Sequence, residues 1–552
     1  MTSILFHNGF IHSSSDPFAQ ALYVEDGVIA WIGDDDTAQS YAKRADNVID
    51  LDGALIAPGF VDTHVHLLET ALEDEAADVS PAAGGTSRAT VLELIQAADG
   101  AHIVENQGEN ATPEVLCATG YDDSTWDGEP LTRADLDTQF PGRPVYVPRA
   151  DLHSAIVSTA LLDACGFGPE ILDDRGRVSG PEHTPIRNYI RDLSADRRTA
   201  LYRNVLTKAA RKGVVSVHEC AAPGIDTPAG LAQLIEMTHQ PTSALPLVVG
   251  YLGELAATVE DVRQYQELVP GLSGLAGDLS IDGSFGSHSA ALREPYTDDP
   301  TTSGTLHFTD DQIEQHLAAC SEAGVTAGFH VIGDRALDQV LNAAERLVDK
   351  DPSMLSKMRR CGHRLEHAEI ADEVARGRIV KLGFMVSVQP AFDAFWGRTG
   401  GMYEQRLGAQ RLHGTSPIRS YARDGIPMGF GSDAPVTPID PWGAITAAVF
   451  HNNEEQRISA RAAFRAHTRG GWRLSGEQNP LVGEIRVGAP AHLAIWQAQE
   501  LGVQAENAGR SSWSTDGRSG SPLLPIMTPE GEQPVCLATL RSGVFIHRAE
   551  QF

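Results

Sequence analysis

The sequence lacks an apolar run long enough to span a bilayer, and its first residues, "MTSILFHNGFIHSSSD", lack the basic start and apolar core of a secretion signal. Positive charge is also scarce, because 43 Lys and Arg stand against 74 Asp and Glu, a formal net charge of −31. Such an acidic chain is repelled by nucleic acid and by anionic lipid. We therefore expect a small-molecule substrate and neither nucleic acid nor a membrane as a partner.

Paired cysteines are missing as well. The six cysteines are scattered along the chain without C-x-x-C spacing, at positions 117, 165, 220, 320, 361 and 536. This usage is typical of a reduced compartment and excludes a disulfide-based scaffold. We expect a cytoplasmic protein, and its oligomeric state stays open, with a homodimer as one option.

Short β-rich segments occupy both ends of the chain. "SILFHNGFIH" and "ALYVEDGVIAWIG" stand near the start, whereas "AHLAIWQ" and "CLATLRSGVFIH" stand near the end. Two short β halves of this kind can pair into one small unit. We predict a β-sandwich domain built from residues 1–57 and 480–552.

The middle of the chain alternates helical patterns with buried apolar runs. Eight such runs end near residues 66, 218, 250, 282, 330, 367, 389 and 433, and most gaps between them have the length of one βα unit. That number of repeated units predicts an α/β fold, a (β/α)₈ TIM-type barrel over residues 58–479. The one long gap predicts an ordered insertion at about 68–200, between the first and second strands.

An H-x-H pair, His64 and His66, ends the first of these runs in "GFVDTHVHL". A chain with 20 histidines in 552 residues should contain H-x-H about once by chance, so the tripeptide alone is weak evidence. Its place on a strand is more informative, since side chains two apart on a strand point the same way. Both imidazoles can therefore face one point beyond the strand.

Further candidate ligands stand at the ends of later strands. His330 ends the fifth run, His367 the sixth and Asp433 the eighth. In a parallel barrel these ends meet on one face. Imidazoles with one carboxylate suit a divalent ion, and we expect Zn²⁺. Bound water on such an ion ionises near neutral pH, and Asp433 can accept its proton as general base.

In this order the motifs "PGFVDTHVH", "VSVHE", "IDGSFGSHSA", "FHVIGDRA", "RLEHA", "VSVQP" and "GSDAPV" resemble the amidohydrolase superfamily. They are most similar to the amidohydrolase 3 group, which includes the N-substituted formamide deformylases. The resemblance covers most of the chain except about residues 70–110 and 500–530. It implies hydrolysis of an amide or related C–N bond by metal-activated water. By the same resemblance, His64, His66, His330, His367 and Asp433 are metal ligands, with Asp433 and His367 catalytic.

The sequence departs from this group at Asp278 in "GDLSIDGS", where related enzymes often have a lysine that carries a bridging carboxylate. Without that lysine we favour one tightly held ion over two, with Glu219 and Cys220 as candidate ligands at the end of the second strand. The contacts to substrate are expected from His153, Asp282 and Trp396. The resemblance aligns His153 with a histidine that faces the pocket in that group. Trp396 lies in an aromatic segment.

Two rival functions stay open. A deaminase of an aminated ring would use the same ligands with a different pocket, since function is decided by the site and not by the fold. A non-catalytic scaffold relative should have lost ligands, whereas this chain keeps five.

Overall fold

Eight parallel strands form the centre of the molecule. The computed structural model describes residues 3–98, 103–104, 115–124, 126–173, 176–240, 242–504, 513–514 and 521–552. The barrel strands are β1 (Phe60–Val65), β2 (Val214–Ala221), β3 (Leu247–Leu252), β4 (Gly274–Leu275), β5 (Thr326–Val331), β6 (Arg364–His367), β7 (Met385–Val388) and β8 (Met428–Phe430). They lie side by side in chain order. The TIM-type barrel predicted from the sequence is confirmed.

The ring closes where β8 approaches β1. The backbone N–H of His66 donates to the carbonyl of Ala434 over 2.9 Å, and the N–H of Asp433 donates to the carbonyl of His64 over 2.8 Å. This approach requires glycine at position 431, since a Cβ there would lie only 2.6 Å from the backbone nitrogen of His64. The closure thus brings the candidate ligands of the two strands together.

Helices surround the barrel, as the helical patterns between the apolar runs predict. They span Leu67–Glu73, Ala195–Arg211, Pro228–His239, Val259–Leu268, Asp310–Ala323, Asp334–Lys350, Met354–Cys361, Glu373–Leu382, Pro390–Trp396, Met402–Leu412, Ile418–Arg423, Pro441–Val449, Ala460–Arg465 and Gly471–Leu474, with a π-turn at Ala466–Gly470. Their apolar faces join the inner strands in one large core. Within the described ranges, no helix has the length and apolarity needed to cross a membrane.

The fourth strand lies earlier in the chain than the sequence pattern predicts. The apolar run ending at Asp282 predicts this strand, but β4 comprises only Gly274–Leu275, paired with β3 and β5. Residues 278–282 therefore follow the strand at the barrel mouth. This shift moves Asp278 from the expected start of a strand to the end that carries the site.

Both ends of the chain contribute to the small β domain. One sheet has the strands Val28–Gly33, Ala21–Glu25, Ser3–His7 and Asn47–Asp50 in that order. The second has Phe10–Ile11, Leu55–Pro58, Leu493–Gln497, Val535–Arg541 and Val544–Arg548, so residues from both termini alternate within it. Three further short strands, Leu501–Gln504, Trp513–Ser514 and Leu524–Pro525, form a third sheet. Isoleucines and leucines of the first two sheets share one core, which includes Ile4, Ile56 and Ile495.

The segment between β1 and β2 is an ordered subdomain. Its sheet contains Ala77–Asp78, Ile103–Val104, Val115–Thr119, Val145–Pro148, Ser154–Val157 and Val178–Ser179, and its helices span Arg88–Ala98, Arg133–Gln139, Thr159–Ala164 and His183–Ile190. A separate apolar core that includes Val91, Leu116 and Leu136 holds these elements together. The subdomain reaches the barrel mouth at Asp151, whose carboxylate accepts from the hydroxyls of Ser284 and Ser287.

Candidate metal centre

Four buried imidazoles converge at the carboxyl end of the barrel. His64 and His66 come from β1, His330 from β5 and His367 from β6. Ring centroids lie 5.1 Å apart for His64 and His66, 5.0 Å for His64 and His367, and 4.4 Å for His330 and His367. The structure thus brings together the histidines that the strand-end spacing selects.

Two carboxylates complete the cluster, Asp433 after β8 and Asp278 after β4. The His66 Nε2 atom lies 3.0 Å from Asp433 Oδ1 and 3.2 Å from Asp278 Oδ2. The His64 Nε2 atom lies 3.4 Å from Asp433 Oδ1 and 3.3 Å from Asp278 Oδ1. Asp278 also faces the opposite side, with its Oδ1 atom 3.6 Å from His330 Nδ1. It is therefore the carboxylate at the middle of the cluster.

The second nitrogen of each imidazole is held by a hydrogen bond. His64 Nδ1 contacts Glu366 Oε2 at 2.9 Å, and His66 Nδ1 contacts the Cys220 carbonyl at 3.1 Å. His330 Nε2 contacts the Gly283 carbonyl at 3.2 Å, and His367 Nδ1 contacts Gln389 Oε1 at 2.8 Å. Because every partner is an acceptor, each of these nitrogens carries the proton. The other nitrogen of each ring faces the centre of the cluster.

Several buried atoms at the centre lack a hydrogen-bond partner among the described residues: His64 Nε2, His330 Nδ1, His367 Nε2 and Asp278 Oδ1. Buried polar atoms are normally paired, so a cluster of unpaired acceptors indicates a missing positive partner. Tetrahedral ligands about 2.0–2.1 Å from a zinc ion lie roughly 3.3 Å from one another. The separations of 3.0–3.4 Å among His64, His66, Asp278 and Asp433 match that value. These residues fit a divalent cation.

Asp278 belongs to two ligand sets. Its ligand atoms lie within 4.8 Å of those of His64 and His66, and again within 4.8 Å of those of His330 and His367. A third set of the same dimensions joins His64, His367 and Asp433. An aspartate thus occupies the place between two histidine pairs where a carboxylate bridge would stand.

Electrostatics also favour a cation. Burial alone would lower the pKa of His66, but the carboxylates of Asp278 and Asp433 raise it well above its ordinary value. In contrast, burial and the neighbouring His330 lower the pKa of His367 to about 3, which keeps its lone pair free. Although burial raises it, the imidazoles beside Asp433 hold the pKa of that carboxyl below its usual range. Without a cation, a proton on His66 therefore offsets the negative charge of Asp278 and Asp433. A bound cation would neutralise the same charge.

Two of the ligands have strained backbones. His367 has a φ of 66° and Asp433 a φ of 56°, although neither is glycine. Non-glycine residues rarely adopt this region, and such strain is concentrated at functional sites. The strain lets both side chains turn into the barrel mouth at the ends of their strands.

The three predicted substrate contacts have different surroundings. His153 lies at the mouth, with its ring centroid 5.2 Å from that of His330. Trp396 lines a groove of about 950 Å³ together with Leu152, the neighbour of His153, and Val436, three residues after Asp433. The substrate roles of His153 and Trp396 stay predictions.

Asp282, the third predicted substrate contact, has most of its hydrogen-bonding capacity occupied within the protein, and its substrate role stays a prediction. This residue is fully buried, and its carboxylate accepts from the backbone N–H groups of Ile332, Gly333 and Ala291 over 2.7–3.0 Å. A carboxylate engaged by three amides has little capacity left for a ligand. Asp282 instead ties the loop after β4 to the end of β5, which carries His330.

Sequence reasoning missed Asp278, Glu366 and Gln389. Asp278 was assigned to the wrong end of the fourth strand, whereas Glu366 did leave a signal: "RLEH" has charged residues at alternate positions of a buried strand. The two alternatives at the end of β2 are not at the middle of the cluster. Glu219 Oε2 accepts from the Leu67 N–H over 2.8 Å. The Cys220 thiol belongs to a different set, in which the ligand atoms of His64, Cys220 and Glu366 lie within 4.8 Å of one another.

Comparison with known proteins agrees with this geometry. The fold and the imidazole–carboxylate cluster define the class of barrel hydrolases that use a metal. The model of the amidohydrolase family matches residues 47–547, and the chain belongs to that family. It is 26% identical to the amidohydrolase-type protein YtcJ of Bacillus subtilis over 84% of this chain and 89% of that protein. It is 23% identical to the N-substituted formamide deformylase of Arthrobacter pascens over 86% and 90% of the two chains.

A solved structure extends the likeness to the whole fold. The chain superposes on an uncharacterized metal-dependent hydrolase from Pyrococcus furiosus with a TM-score of 0.67 and 26% identity, covering 89% of this chain and 98% of that one. The resemblance drawn from the motifs is therefore confirmed, and the protein is a hydrolase of the amidohydrolase family.

Proposed function

We propose that this protein hydrolyses a C–N bond outside peptides, in an N-formyl, N-acyl or cyclic amide, with Asp433 as general base. The observation that carries the proposal is the set of unpaired imidazole lone pairs around two carboxylates at the open end of the barrel. Amide hydrolysis needs an activated water and a stabilised oxyanion, and such a cluster serves both needs.

The cation site is assigned to His64, His66, Asp278 and Asp433, with His330 and His367 on the other side of Asp278. Nitrogen and oxygen donors in this ratio suit Zn²⁺, Mn²⁺ or Co²⁺, and Zn²⁺ is our choice. When bound, a divalent cation lowers the pKa of water and polarises a carbonyl oxygen.

Asp433 is suited to a base because its two oxygens differ. Oδ1 faces the imidazoles of His64 and His66, whereas the contact of Oδ2 with His367 Nδ1 is long, at 4.0 Å. Because its pKa is lowered, Asp433 is ionised at neutral pH. Oδ2 is the oxygen that takes a proton from the attacking water and returns it to the leaving nitrogen.

His153 is assigned to the substrate carbonyl. It lies beside His330 at the mouth, and burial lowers its pKa to about 4, so it is neutral and donates one N–H. The groove beyond it has apolar walls, including Trp396, Met402 and Val436. These walls favour an amide with an apolar substituent, in keeping with the N-substituted formamides named for the Arthrobacter relative.

A hydrolysis screen tests the proposal. Purified protein loaded with zinc, manganese or cobalt is offered N-formyl, N-acyl and cyclic amides, and amine and carboxylate are quantified. We expect turnover of at least one class, and turnover at least about a hundredfold slower with Asp433→Asn as the matched control. Release of ammonia from aminated rings without amide cleavage would replace the proposal by a deaminase.

A further inference from the structure

The arginine Arg364 lies inside the barrel beneath the metal centre. Arg364, the first residue of β6, has no solvent-exposed surface, and the same is true of Glu366 two residues later. Both side chains point inward because they alternate with Leu365, which packs in the outer core. Burying a guanidinium without partners costs free energy, so hydrogen bonds and negative charge around Arg364 must compensate for its burial.

The guanidinium contacts four strands of the barrel. It donates to both oxygens of Glu366 on β6, with Nε–Oε1 at 2.5 Å and Nη2–Oε2 at 2.9 Å, and to the Thr63 carbonyl on β1 over 2.6 Å. Nη1 lies 2.9 Å from His218 Nδ1 on β2, and the charge stands 4.4 Å from the Tyr251 ring on β3. Arg364 thus links four strands inside the barrel.

Glu366 connects Arg364 to the metal centre through hydrogen bonds. Its Oε2 atom accepts from both Arg364 and His64 Nδ1, the latter over 2.9 Å. A carboxylate at Nδ1 selects the tautomer in which Nε2 is unprotonated. The Arg364 guanidinium contacts both oxygens of Glu366, so its positive charge lies directly against the carboxylate that holds His64.

We propose that Arg364 and Glu366 are a positioning pair for the cation, acting through His64. Arg364 holds the Glu366 carboxylate at one place and balances its charge. Glu366 then holds the His64 ring so that Nε2 faces Asp278 and Asp433. The inference rests on the proposed cation site but not on the proposed substrate or reaction.

The first test measures cation affinity. Zinc is titrated into metal-free protein against a chelating indicator, with wild type compared to Glu366→Gln. We expect binding 10–100-fold weaker, the usual effect of losing the hydrogen-bond partner of a ligating histidine. Glu366→Asp keeps the charge opposite Arg364 but is shorter by one methylene, so it should fold and still bind zinc more weakly than wild type.

The second test observes the tautomer directly. Nitrogen-15 spectra of histidine-labelled, zinc-loaded protein, with the His64 signals assigned from a His64→Gln sample, should show the proton on Nδ1 and an unprotonated Nε2 in wild type. In Glu366→Gln we expect a mixture of tautomers. A role confined to packing would leave this signal unchanged, so the readout separates positioning from structure.

Asp226→Asn is the matched control. Asp226 forms a comparable buried ion pair with Arg198, but it contacts none of the metal-centre histidines. It should lower thermal stability without changing zinc affinity or the His64 signal. Zinc affinity and tautomer equal to wild type in both Glu366 variants would overturn the pair's role. A wild type that binds no zinc but keeps the Nδ1 proton would instead refute the proposed cation site.

Discussion

Two groups of buried histidines differ in one respect. His316, His363 and His451 lie away from the mouth, and both nitrogens of each ring have partners; those of His363, for example, bind the Ser321 hydroxyl and the Ala327 N–H over 2.7 and 2.9 Å. At the metal centre, His64, His330 and His367 each keep one unpaired nitrogen. Burial does not distinguish the groups, since His363 is 1% exposed and His367 is 2% exposed. The unpaired nitrogen separates these six histidines. It does not identify a ligand by itself, because His218 beside Arg364 also has an unpaired Nε2 atom, whereas His66 Nε2 contacts Asp433 at 3.0 Å.

Replacing a centre histidine should have the largest effect. We expect His66→Asn to lose the cation on dialysis and to lower kcat by at least about a thousandfold, because several kcal/mol of transition-state stabilisation depend on the ion. Elemental analysis and kcat measured on the same sample check this. Full metal content with normal turnover would remove His66 from the site.

Asp433→Asn should have the next largest effect. The substitution keeps the shape but removes the base, so kcat should fall at least about a hundredfold while the circular dichroism spectrum is unchanged. Some cation should remain, since His64, His66 and Asp278 still surround it. Wild-type turnover would exclude Asp433 from proton transfer.

The metal count tests the place of Asp278. We expect one equivalent to survive dialysis, and activity that does not depend on added bicarbonate, because an aspartate carries its own carboxylate. Asp278→Asn should weaken zinc binding about 10–100-fold, as its oxygens face both histidine pairs. Two tightly held ions bridged by a carboxylated lysine would contradict the position assigned to Asp278 between the two histidine pairs.

Asp278 also shows where sequence reasoning stops. Eight apolar runs with helical spacers are enough to predict the barrel, and the rule that ligands stand at strand ends selects His64, His66, His330, His367 and Asp433. A strand of two residues has no periodicity, so the position of β4 is decided by its neighbours β3 and β5. Because the strand ends earlier than the apolar run predicts, Asp278 lies beyond the carboxyl end of β4 and not at its start. Partners such as Glu366 and Gln389 follow from side-chain reach across the barrel, which spacing along the chain does not encode.

pH should affect the two groups in opposite directions. The pKa of His363 falls from 6.5 to about 3 on burial, and that of His316 to about 4, so both stay neutral when folded. Unfolded histidine gains a proton below about pH 6.5, so the contribution of these two histidines to stability is lost as pH falls from there toward about 4.

His66 has a raised pKa in the metal-free protein, so its contribution to stability is present below about pH 6.5 and is lost as pH rises. Zinc uptake should therefore release protons, which calorimetry in buffers of different ionisation enthalpy measures.

His363→Leu should have the smallest effect on function and a clear effect on stability. The substitution leaves the Ser321 hydroxyl and the Ala327 N–H without the partners they now have, and each unsatisfied buried group costs about 1–3 kcal/mol. We expect a lower Tm and a lower free energy of unfolding by urea, with zinc affinity and kcat per folded molecule unchanged. The free energy of unfolding of this variant should also fall less as the pH is lowered, since no imidazole then has to stay neutral at this position. If zinc affinity fell together with stability, His363 would not be a purely structural histidine, and its two paired nitrogens would not set it apart from the metal-centre histidines.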